Sequence, residues 1–303
     1  MSERPEGVSW ATRTAVGLLW LLHWLPLPVL ALLGRALGRA FYVFAKERRN
    51  VVLTNLRLCF PAMDENARRR LAREHMQALG RSLLERSLCW WASERDIRRL
   101  VHIDGLDRLR ALRGKPLILL VPHFVGLDIC ATRLALEIDA TSIYSKQKDA
   151  LIDRLLYRGR TRFGDQFIVS RQEGMRPILR ALKGGRPLYY LPDMDYGPRD
   201  ALFVPFFGVP AATIPGVSRL ARLSGAAVLP CIARMLPGGR GYLLDVGAAW
   251  DGFPGASAEA DTRRMNAFIE QQVRQMPEQY YWVHKRFKTR PPGEAPVYGS
   301  RVS

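Results

Sequence analysis

Residues 116–128 read PLILLVPHFVGLD, and this stretch decides the predicted fold. The apolar run 116–121 predicts a buried strand, Pro122 ends it, and residues 126–137 predict a helix. Buried apolar strands that alternate with helices are typical of a parallel sheet covered on both faces. We therefore expect His123 at a strand end and Asp128 in the first turn of the next helix.

The spacing of His123 and Asp128 suggests an acid–base pair. On one helix the two side chains would point in different directions, but across a strand-to-helix turn they can meet. A carboxylate that holds one imidazole nitrogen leaves the other nitrogen free to take a proton. The alternative is structural: a strand-end histidine, with Asp128 as a favourable negative charge at a helix N-terminus.

The same alternation of strands and helices continues along the chain and predicts one α/β domain with a mixed, mostly parallel sheet flanked by helices. Further strands are predicted at 141–144, 167–169, 187–191, 226–232 and 241–246. Helices are predicted at 64–91, 126–137, 149–163, 173–183, 215–224 and 258–275. We assign this domain to residues 49–291, after a membrane-anchoring segment at 1–48 and before an irregular tail at 292–303.

The anchoring segment is predicted from an uncharged apolar stretch. Residues 14–34 contain no Asp, Glu, Lys or Arg. A stretch of this length is long enough to span a bilayer. Pro26 and Pro28 would bend such a helix, so a bent or shallow membrane helix and a buried helix of a soluble domain are alternatives. Basic residues follow closely, from Arg35 to Arg49, which places the main domain on the cytoplasmic side by the positive-inside tendency.

The chain is strongly basic. Its 46 Lys and Arg outnumber its 28 Asp and Glu, giving a formal net charge of +18. Such a charge favours an anionic partner: nucleic acid, an anionic membrane or a phosphorylated substrate. The four cysteines form no C-x-x-C pair, which indicates reduced, buried thiols rather than zinc ligands or disulfides.

Four further clusters have both a functional and a structural interpretation. Arg154, Arg158 and Arg162 share one predicted helix face, which suits phosphate binding or a merely solvated surface. Residues 191–199 place Asp193 and Asp195 after a strand, in a ligand cleft or a plain turn. The apolar residues 203–213 form either an acyl channel or ordinary core. Residues 280–290 alternate aromatics with cations, as in nucleic-acid surfaces or membrane-interface strips, and the apolar N-terminus favours the membrane.

Several common enzyme motifs are absent from the sequence. It contains no G-x-S-x-G nucleophile elbow, no P-loop and no G-x-G-x-x-G motif. The other histidines show no spacing typical of metal ligands.

Taken together, these segments resemble the lauroyl/myristoyl acyltransferases of lipid A biosynthesis, within the glycerolipid acyltransferase superfamily. The resemblance covers nearly the whole chain and is carried by several segments. They are Arg49-Asn50-Val51, Cys59-Phe60-Pro61, His123 to Asp128, Gly159-Arg160-Thr161-Arg162, Asp193-Met194-Asp195-Tyr196-Gly197-Pro198, Val204-Pro205-Phe206-Phe207, Ala211-Ala212-Thr213 and residues 282–291. Many relatives carry glutamate where this chain has Asp128.

The resemblance implies transfer of a fatty acyl group from acyl carrier protein to a free hydroxyl on a lipid A precursor at the inner membrane. His123 would be the general base and Asp128 would orient it. Arg160, with Arg158 and Arg162, would hold acceptor phosphates, and the 203–209 region would measure acyl length. Asp193, Asp195 and Thr213 are further candidates for substrate contact. No metal, no cofactor beyond the acyl donor and no nucleic acid is implied.

Two other functions remain open from the sequence. One is an acyltransferase with a different membrane acceptor, such as a glycerol phosphate or a glycolipid. The other is a non-enzymatic basic protein that binds membranes or nucleic acid, and that function gives no role to the pair of His123 and Asp128.

Overall fold

The computed structural model describes residues 9–299. Residues 1–8 and 300–303, the ends of the predicted anchoring segment and of the predicted tail, lie outside the described residues. The helices are α1 Trp10–Leu22, α2 Leu27–Phe44, α3 Lys46–Cys59, α4 Glu65–Trp91, α5 Glu94–Leu100, α6 Leu106–Ala111, α7 Leu127–Leu134, α8 Ala150–Thr161, α9 Arg176–Lys183, α10 Gly216–Ser224 and α11 Ala258–Gln275. The strands are β1 Val101–Asp104, β2 Leu117–Leu120, β3 Thr141–Tyr144, β4 Phe167–Ser170, β5 Leu188–Tyr190, β6 Leu202–Phe206, β7 Val209–Thr213, β8 Ala227–Met235 and β9 Tyr242–Val246.

A seven-stranded sheet organises the described part of the chain, in the order β1-β9-β8-β2-β5-β3-β4. All neighbouring strands in it are parallel except β8 and β9. Every residue of β2, at the centre, is buried, because helices cover both faces of a parallel sheet. The predicted α/β fold with a mixed, mostly parallel sheet is confirmed.

Two parts of the sheet structure were not predicted. β1 is a short edge strand with alternating burial, and its four residues give too little pattern to detect. β6 and β7 form a separate antiparallel hairpin within residues 202–213. Pro205 and Pro210 stand opposite each other in that hairpin, where a two-stranded sheet tolerates residues that lack an N–H.

The apolar N-terminal stretch is not one helix. The chain breaks at residues 23–26, and Pro26 caps the start of α2. Among residues 9–299, one helix is long and apolar enough to cross a membrane: Leu27–Phe44, of which 28% is buried, rather than the predicted stretch 14–34. The break follows from Pro26, which cannot continue a helix in the preceding turn.

α2 packs against α4 with their backbones nearly touching. A Cβ atom added to Gly38 would lie 2.1 Å from the Met76 carbonyl oxygen, and one added to Gly80 would lie 2.3 Å from the Gly34 carbonyl oxygen. Larger side chains at these three glycines would push the helices apart. α2 is therefore fastened along α4, the helix that also reaches the site described below.

The predicted limits of the three segments remain predictions. α3 begins at Lys46 and continues past residue 48, so the chain enters the main domain without a linker there. Residues 292–299 contain no helix or strand.

Candidate active site

His123 lies three residues beyond the end of β2, where the chain turns into α7. Its backbone N–H donates to Asp193 Oδ2 at 3.0 Å, and its ring Nδ1 lies 2.7 Å from Asp193 Oδ1. Asp193 follows β5, the strand beside β2, and is buried. The carboxyl ends of two parallel strands thus bring these residues together. The double contact fixes both the backbone and the ring of His123.

The bond to Asp193 determines what the imidazole can do. With the proton on Nδ1 donated to the carboxylate, Nε2 is the acceptor of the neutral ring. Among residues 9–299, Nε2 of His123 has no hydrogen-bond partner, and the side chain is 13% exposed. Burial acts to raise the pKa of Asp193, but the charge of His123 and its hydrogen bonds outweigh burial and lower it. The pair is therefore arranged as an orienting carboxylate and a base with one free nitrogen.

The structure gives Asp128 a different partner from the predicted one. Its carboxylate accepts a hydrogen bond from Arg86 Nη2, on α4. Asp128 lies in the first turn of α7, whose packing against α4 directs the carboxylate to that helix instead of to the His123 ring. The expectation that Asp128 holds the ring nitrogen of His123 is therefore corrected: Asp193 occupies that place.

Asp128 nevertheless belongs to the same electrostatic neighbourhood. Burial acts to raise its pKa, but the positive charges of Arg86 and Arg160, the bond to Arg86 and the charge of His123 together lower the pKa below its usual range. Asp128 therefore stays ionised beside the histidine.

The basic residues predicted on one helix lie in different environments, in α8 and at its C-cap, Arg162. Arg160 stands with its guanidinium 5.5 Å from the centre of the Tyr144 ring, at the edge of a cavity. Arg158 is exposed. Arg162 turns back to α4, where Nη1 donates to the Cys89 carbonyl at 2.9 Å and Nη2 donates to the Ala92 carbonyl. Arg162 thus caps the end of α4, and its predicted contact with phosphate finds no support in this geometry.

Asp195 and Thr213 lie in buried networks rather than in an open cleft. Asp195 accepts from the Thr289 backbone N–H at 2.7 Å and from the Thr289 hydroxyl at 2.8 Å. Thr213 is fully buried and accepts from Arg286 Nη2 at 2.6 Å. These bonds use the polar atoms that a substrate would need, so the geometry gives both residues a structural role.

The central residues of the aromatic and basic strip at 280–290 are buried, although Lys288 is exposed. Trp282 and Phe287 are fully buried and Arg286 is 2% exposed. The Trp282 indole donates to the Pro277 carbonyl, and Arg286 Nη1 donates to the Ala212 carbonyl. The expectation of a membrane-interface strip is wrong for these residues, because backbone carbonyls and the Thr213 hydroxyl bind the Trp282 indole and both Nη atoms of Arg286 inside the core.

A cavity opens beside Asp128, between α4, α7, α8 and the strands β3 to β5. Its volume is about 90 Å³, smaller than that of a typical ligand pocket. Arg86, Asp128 and Arg160 border it, and most of its wall is apolar. The predicted acyl channel at 203–209 does not contribute to it: Phe206 and Phe207 are buried in the core, against Tyr280 and Trp282.

Sequence reasoning missed two residues of this site. Arg86 stands in a predicted helix rich in arginine, so only the packing of α4 on α7 distinguishes it from its neighbours. His284 accepts from the Asp195 backbone N–H at 2.9 Å and holds the loop that carries Asp193. Burial, together with the nearby charge of Arg286, lowers the pKa of His284 to about 4, so this ring stays neutral.

The described residues contain no group of three or more His, Cys, Asp or Glu that could hold a metal ion. All four cysteines are free and buried, as predicted.

Comparison with known proteins gives a consistent result. The family model described as bacterial lipid A biosynthesis acyltransferase matches residues 6–289. The lipid A biosynthesis lauroyltransferase of Escherichia coli (strain K12) is 36% identical over 94% of this chain and 93% of its own. The palmitoleoyltransferase of the same pathway and organism is 34% identical over 95% and 94%, and the myristoyltransferase is 31% identical over 89% and 83%.

Proposed function

The chain belongs to the bacterial lipid A biosynthesis acyltransferase family, and from this premise we propose that it moves a fatty acyl group from acyl carrier protein to a hydroxyl of a lipid A precursor. The acceptor is the free hydroxyl of a 3-hydroxyacyl chain on the glucosamine disaccharide. The observation that carries the proposal is the bond of 2.7 Å between His123 Nδ1 and Asp193, which leaves Nε2 without a partner among residues 9–299.

In the proposed mechanism, Nε2 of His123 takes the proton of the acceptor hydroxyl as its oxygen attacks the thioester carbonyl. The tetrahedral intermediate then collapses, the C–S bond breaks, and the imidazolium returns the proton to the leaving thiolate. Asp193 holds the ring and stabilises its protonated form through the bond to Nδ1. Asp128 adds a second negative charge, and Arg86 fixes its carboxylate. General-base catalysis of this kind typically gives about 10²–10⁴-fold.

The reaction needs no metal to activate a thioester carbonyl, and acyltransferases of this family need no metal cofactor. Arg160 is the candidate for the acceptor's phosphate, because this exposed residue at the cavity edge forms no ion pair within the described part of the chain and bonds only weakly to the Ile143 carbonyl, at 3.4 Å. Arg158, exposed on the same helix, is the second candidate.

The experiment incubates detergent-solubilised protein with a tetra-acylated lipid A precursor, with and without Kdo, and a mixture of acyl-acyl carrier proteins. Mass spectrometry should detect a gain of one acyl chain. His123→Ala should lower the rate by about 10²–10⁴-fold, while His102→Ala, at an exposed histidine on β1, should leave it unchanged. Full activity of His123→Ala would refute the assignment of His123 as the general base. Transfer only to a glycerol phosphate or a glycolipid would mean that this lipid, and not a lipid A precursor, is the acceptor.

We further propose that the protein lies on the cytoplasmic side of the inner membrane with α1 and α2 along the bilayer. Large apolar side chains are exposed on both helices and in the break between them, among them Trp10, Trp24 and Phe44 at 83%, 71% and 81%. Such a surface suits the lipid interface. The opposite face of α2 is fastened to α4 through Gly34 and Gly38, and a perpendicular span would have to give up this packing.

Two measurements test this placement. Phe44→Glu should weaken binding to phospholipid vesicles, while the matched Leu223→Glu, at an exposed leucine of α10, should not. Ser9→Cys should remain unlabelled by an impermeant maleimide in intact spheroplasts and become labelled after lysis. Labelling before lysis would mean that the segment crosses the membrane.

A further inference from the structure

Residues 279–289, here called the brace, contact both loops that carry the proposed acid–base pair. On the histidine side, the Tyr281 N–H donates to the His123 carbonyl at 2.9 Å, and the Val125 N–H donates to the Gln279 carbonyl at 2.9 Å. Two main-chain hydrogen bonds of opposite direction therefore fix the turn between β2 and α7 to the brace. The position of His123 depends on where the brace lies.

The brace also holds the loop that carries Asp193. His284 accepts from the Asp195 N–H at 2.9 Å, and Thr289 donates to the Asp195 carboxylate through its N–H at 2.7 Å and its hydroxyl at 2.8 Å. The bond of 2.7 Å between His123 and Asp193 joins the two loops that the brace supports. The brace therefore sets the separation between the proposed base and its orienting carboxylate.

Asn55, on α3, fixes the brace from the opposite side. It is fully buried, and its Nδ2 donates to the Trp282 carbonyl at 2.7 Å and to the His284 carbonyl at 2.8 Å. Because a carbonyl can only accept, both amide hydrogens must point to the brace, and Oδ1 is left to accept from another group. That group is the hydroxyl of Tyr298, in the C-terminal tail.

The Tyr298 hydroxyl completes this arrangement. It donates to Asn55 Oδ1 and accepts from the Phe287 N–H at 3.1 Å, so one hydroxyl joins α3, the brace and the tail. Its ring packs against the same apolar cluster that contains Trp282. Tyr298 lies beyond residues 6–289, the part of the chain that the family model matches.

We propose that Tyr298 and Asn55 are positioning residues for the transfer reaction, which act through the brace on the bond between His123 and Asp193. The inference rests on the proposed function, and specifically on His123 as the general base. Displacement of a reacting group by about 1 Å can cost about 10²-fold in rate. A hydroxyl that fixes the support of the pair therefore affects turnover without touching a substrate.

The space among these residues has no room for a substrate. Asn55, His123, Asp193 and His284 border one cavity of about 10 Å³, which holds a single water molecule at most. Asn55 therefore acts on the reaction through the protein and not through a bound ligand. A loss of positioning should accordingly lower kcat and leave the KM values of both substrates unchanged.

The test is a double-mutant cycle on the transfer kinetics of the full-length protein. Tyr298→Phe keeps the ring and removes the hydroxyl, and should lower kcat about fivefold, the equivalent of one neutral hydrogen bond. In an Asp193→Asn background, where the pair is already broken, Tyr298→Phe should change kcat by less than about twofold. Tyr42→Phe is the matched control and should change kcat in neither background: Tyr42 packs on the same cluster, and its hydroxyl has no hydrogen-bond partner within residues 9–299.

An equal loss from Tyr298→Phe in both backgrounds would overturn the inference, because Tyr298 would then act independently of the pair. Wild-type kcat in Tyr298→Phe, or a change confined to a substrate's KM, would also overturn it. Asn55→Leu removes both bonds to the brace and should show a larger loss of kcat that likewise disappears in the Asp193→Asn background. If Asn55→Leu fails to fold, Tyr298→Phe decides alone.

His123→Ala separates the failure of this inference from failure of the proposed function. Equal losses in both backgrounds, with His123→Ala inactive, would reject the positioning role and keep the base. Full activity of His123→Ala would reject the base and the positioning role with it. If another lipid proves to be the acceptor, the cycle is measured with that lipid and its outcomes have the same meaning.

Discussion

Helix α4 carries two arginine–carboxylate pairs whose surroundings differ. Arg81 and Glu85 are sealed in the core, with side chains 7% and 1% exposed, and the Tyr242 hydroxyl also bonds to Glu85. Arg86 and Asp128 border the cavity, and each side chain is 30% exposed. The two arginines are only five residues apart, so the same helix supplies one pair to the core and one to the candidate active site.

The two carboxylates respond in opposite directions. Burial raises the pKa of Glu85 to about 7, because the single charge of Arg81 does not outweigh it. The pKa of Asp128 is lowered, because Arg86, Arg160 and the nearby His123 together outweigh burial. The comparison teaches that a sealed carboxylate facing a single cation titrates near neutrality, whereas one that faces several cations at a cavity stays charged.

The largest expected effect separates the two carboxylates near His123. Asp193→Asn should lower kcat by about 10²–10⁴-fold, because the amide no longer enforces the tautomer with a free Nε2. Asp128→Asn should lower kcat about fivefold, the effect of roughly 1 kcal/mol of interaction across a partly solvated gap. Steady-state kinetics on both variants, with thermal unfolding as a check of folding, measure the difference. A larger loss in Asp128→Asn would restore the helix carboxylate as the orienting group.

An intermediate effect is expected at the sealed pair. The pKa of Glu85 is about 7 in the folded protein, above its ordinary value of 4.5. Between pH 4.5 and pH 7 the folded protein therefore binds more protons than the unfolded chain does. Its contribution to stability is therefore fully present at acidic pH and is lost as the pH rises toward 7. Glu85→Gln should remove this dependence, which amounts to as much as about 3 kcal/mol for a shift of this size.

The test is to measure the free energy of unfolding of wild type and Glu85→Gln by denaturant titration between about pH 5 and pH 8, in roughly unit steps of pH. Parallel stability curves for the two proteins would contradict the assignment. kcat of the folded Glu85→Gln protein should stay near the wild-type value, since this pair does not border the cavity.

The smallest effects are expected at two arginines at the C-terminal end of α8, Arg160 and the capping residue Arg162. Arg162→Ala should lower the free energy of unfolding by about 1 kcal/mol, because two carbonyls at the end of α4 lose their partner, and should leave the acceptor's KM unchanged. Arg160→Ala should raise the acceptor's KM about tenfold, for the loss of one charge-assisted contact, and leave stability unchanged. The reverse result would exchange their roles.

The sequence predicts the fold well because its strongest signals are local. Residues 116–121 form a continuous apolar run, and the structure places β2 within it at the centre of the sheet. His123 is likewise predicted at the strand end where it is found. The hairpin of β6 and β7 escaped prediction because its prolines and its isolation from the main sheet give no strand periodicity.

Partners at long sequence distance could not be predicted. Asp193 reaches His123 because β5 lies beside β2, and nothing near residue 123 indicates which strand is its neighbour. Spacing favoured Asp128 because it is close in sequence, but the packing of α7 on α4 decides where that side chain points. The strip at 280–290 was misassigned for a similar reason: alternation of aromatics and cations describes a surface and a satisfied core equally well.

The glycine contact between α2 and α4 has a practical consequence for anyone who needs a water-soluble form of this enzyme. α1 has no buried residue, whereas α2 buries Leu27, Leu30 and Ala31 together with two glycines. A shortened protein that starts at Pro26 would keep all of these. One that starts after Phe44 would expose the side of α4 that α2 covers. The loss of this packing would destabilise the fold. The better route is to replace the exposed apolar side chains of α2 and leave the helix in place.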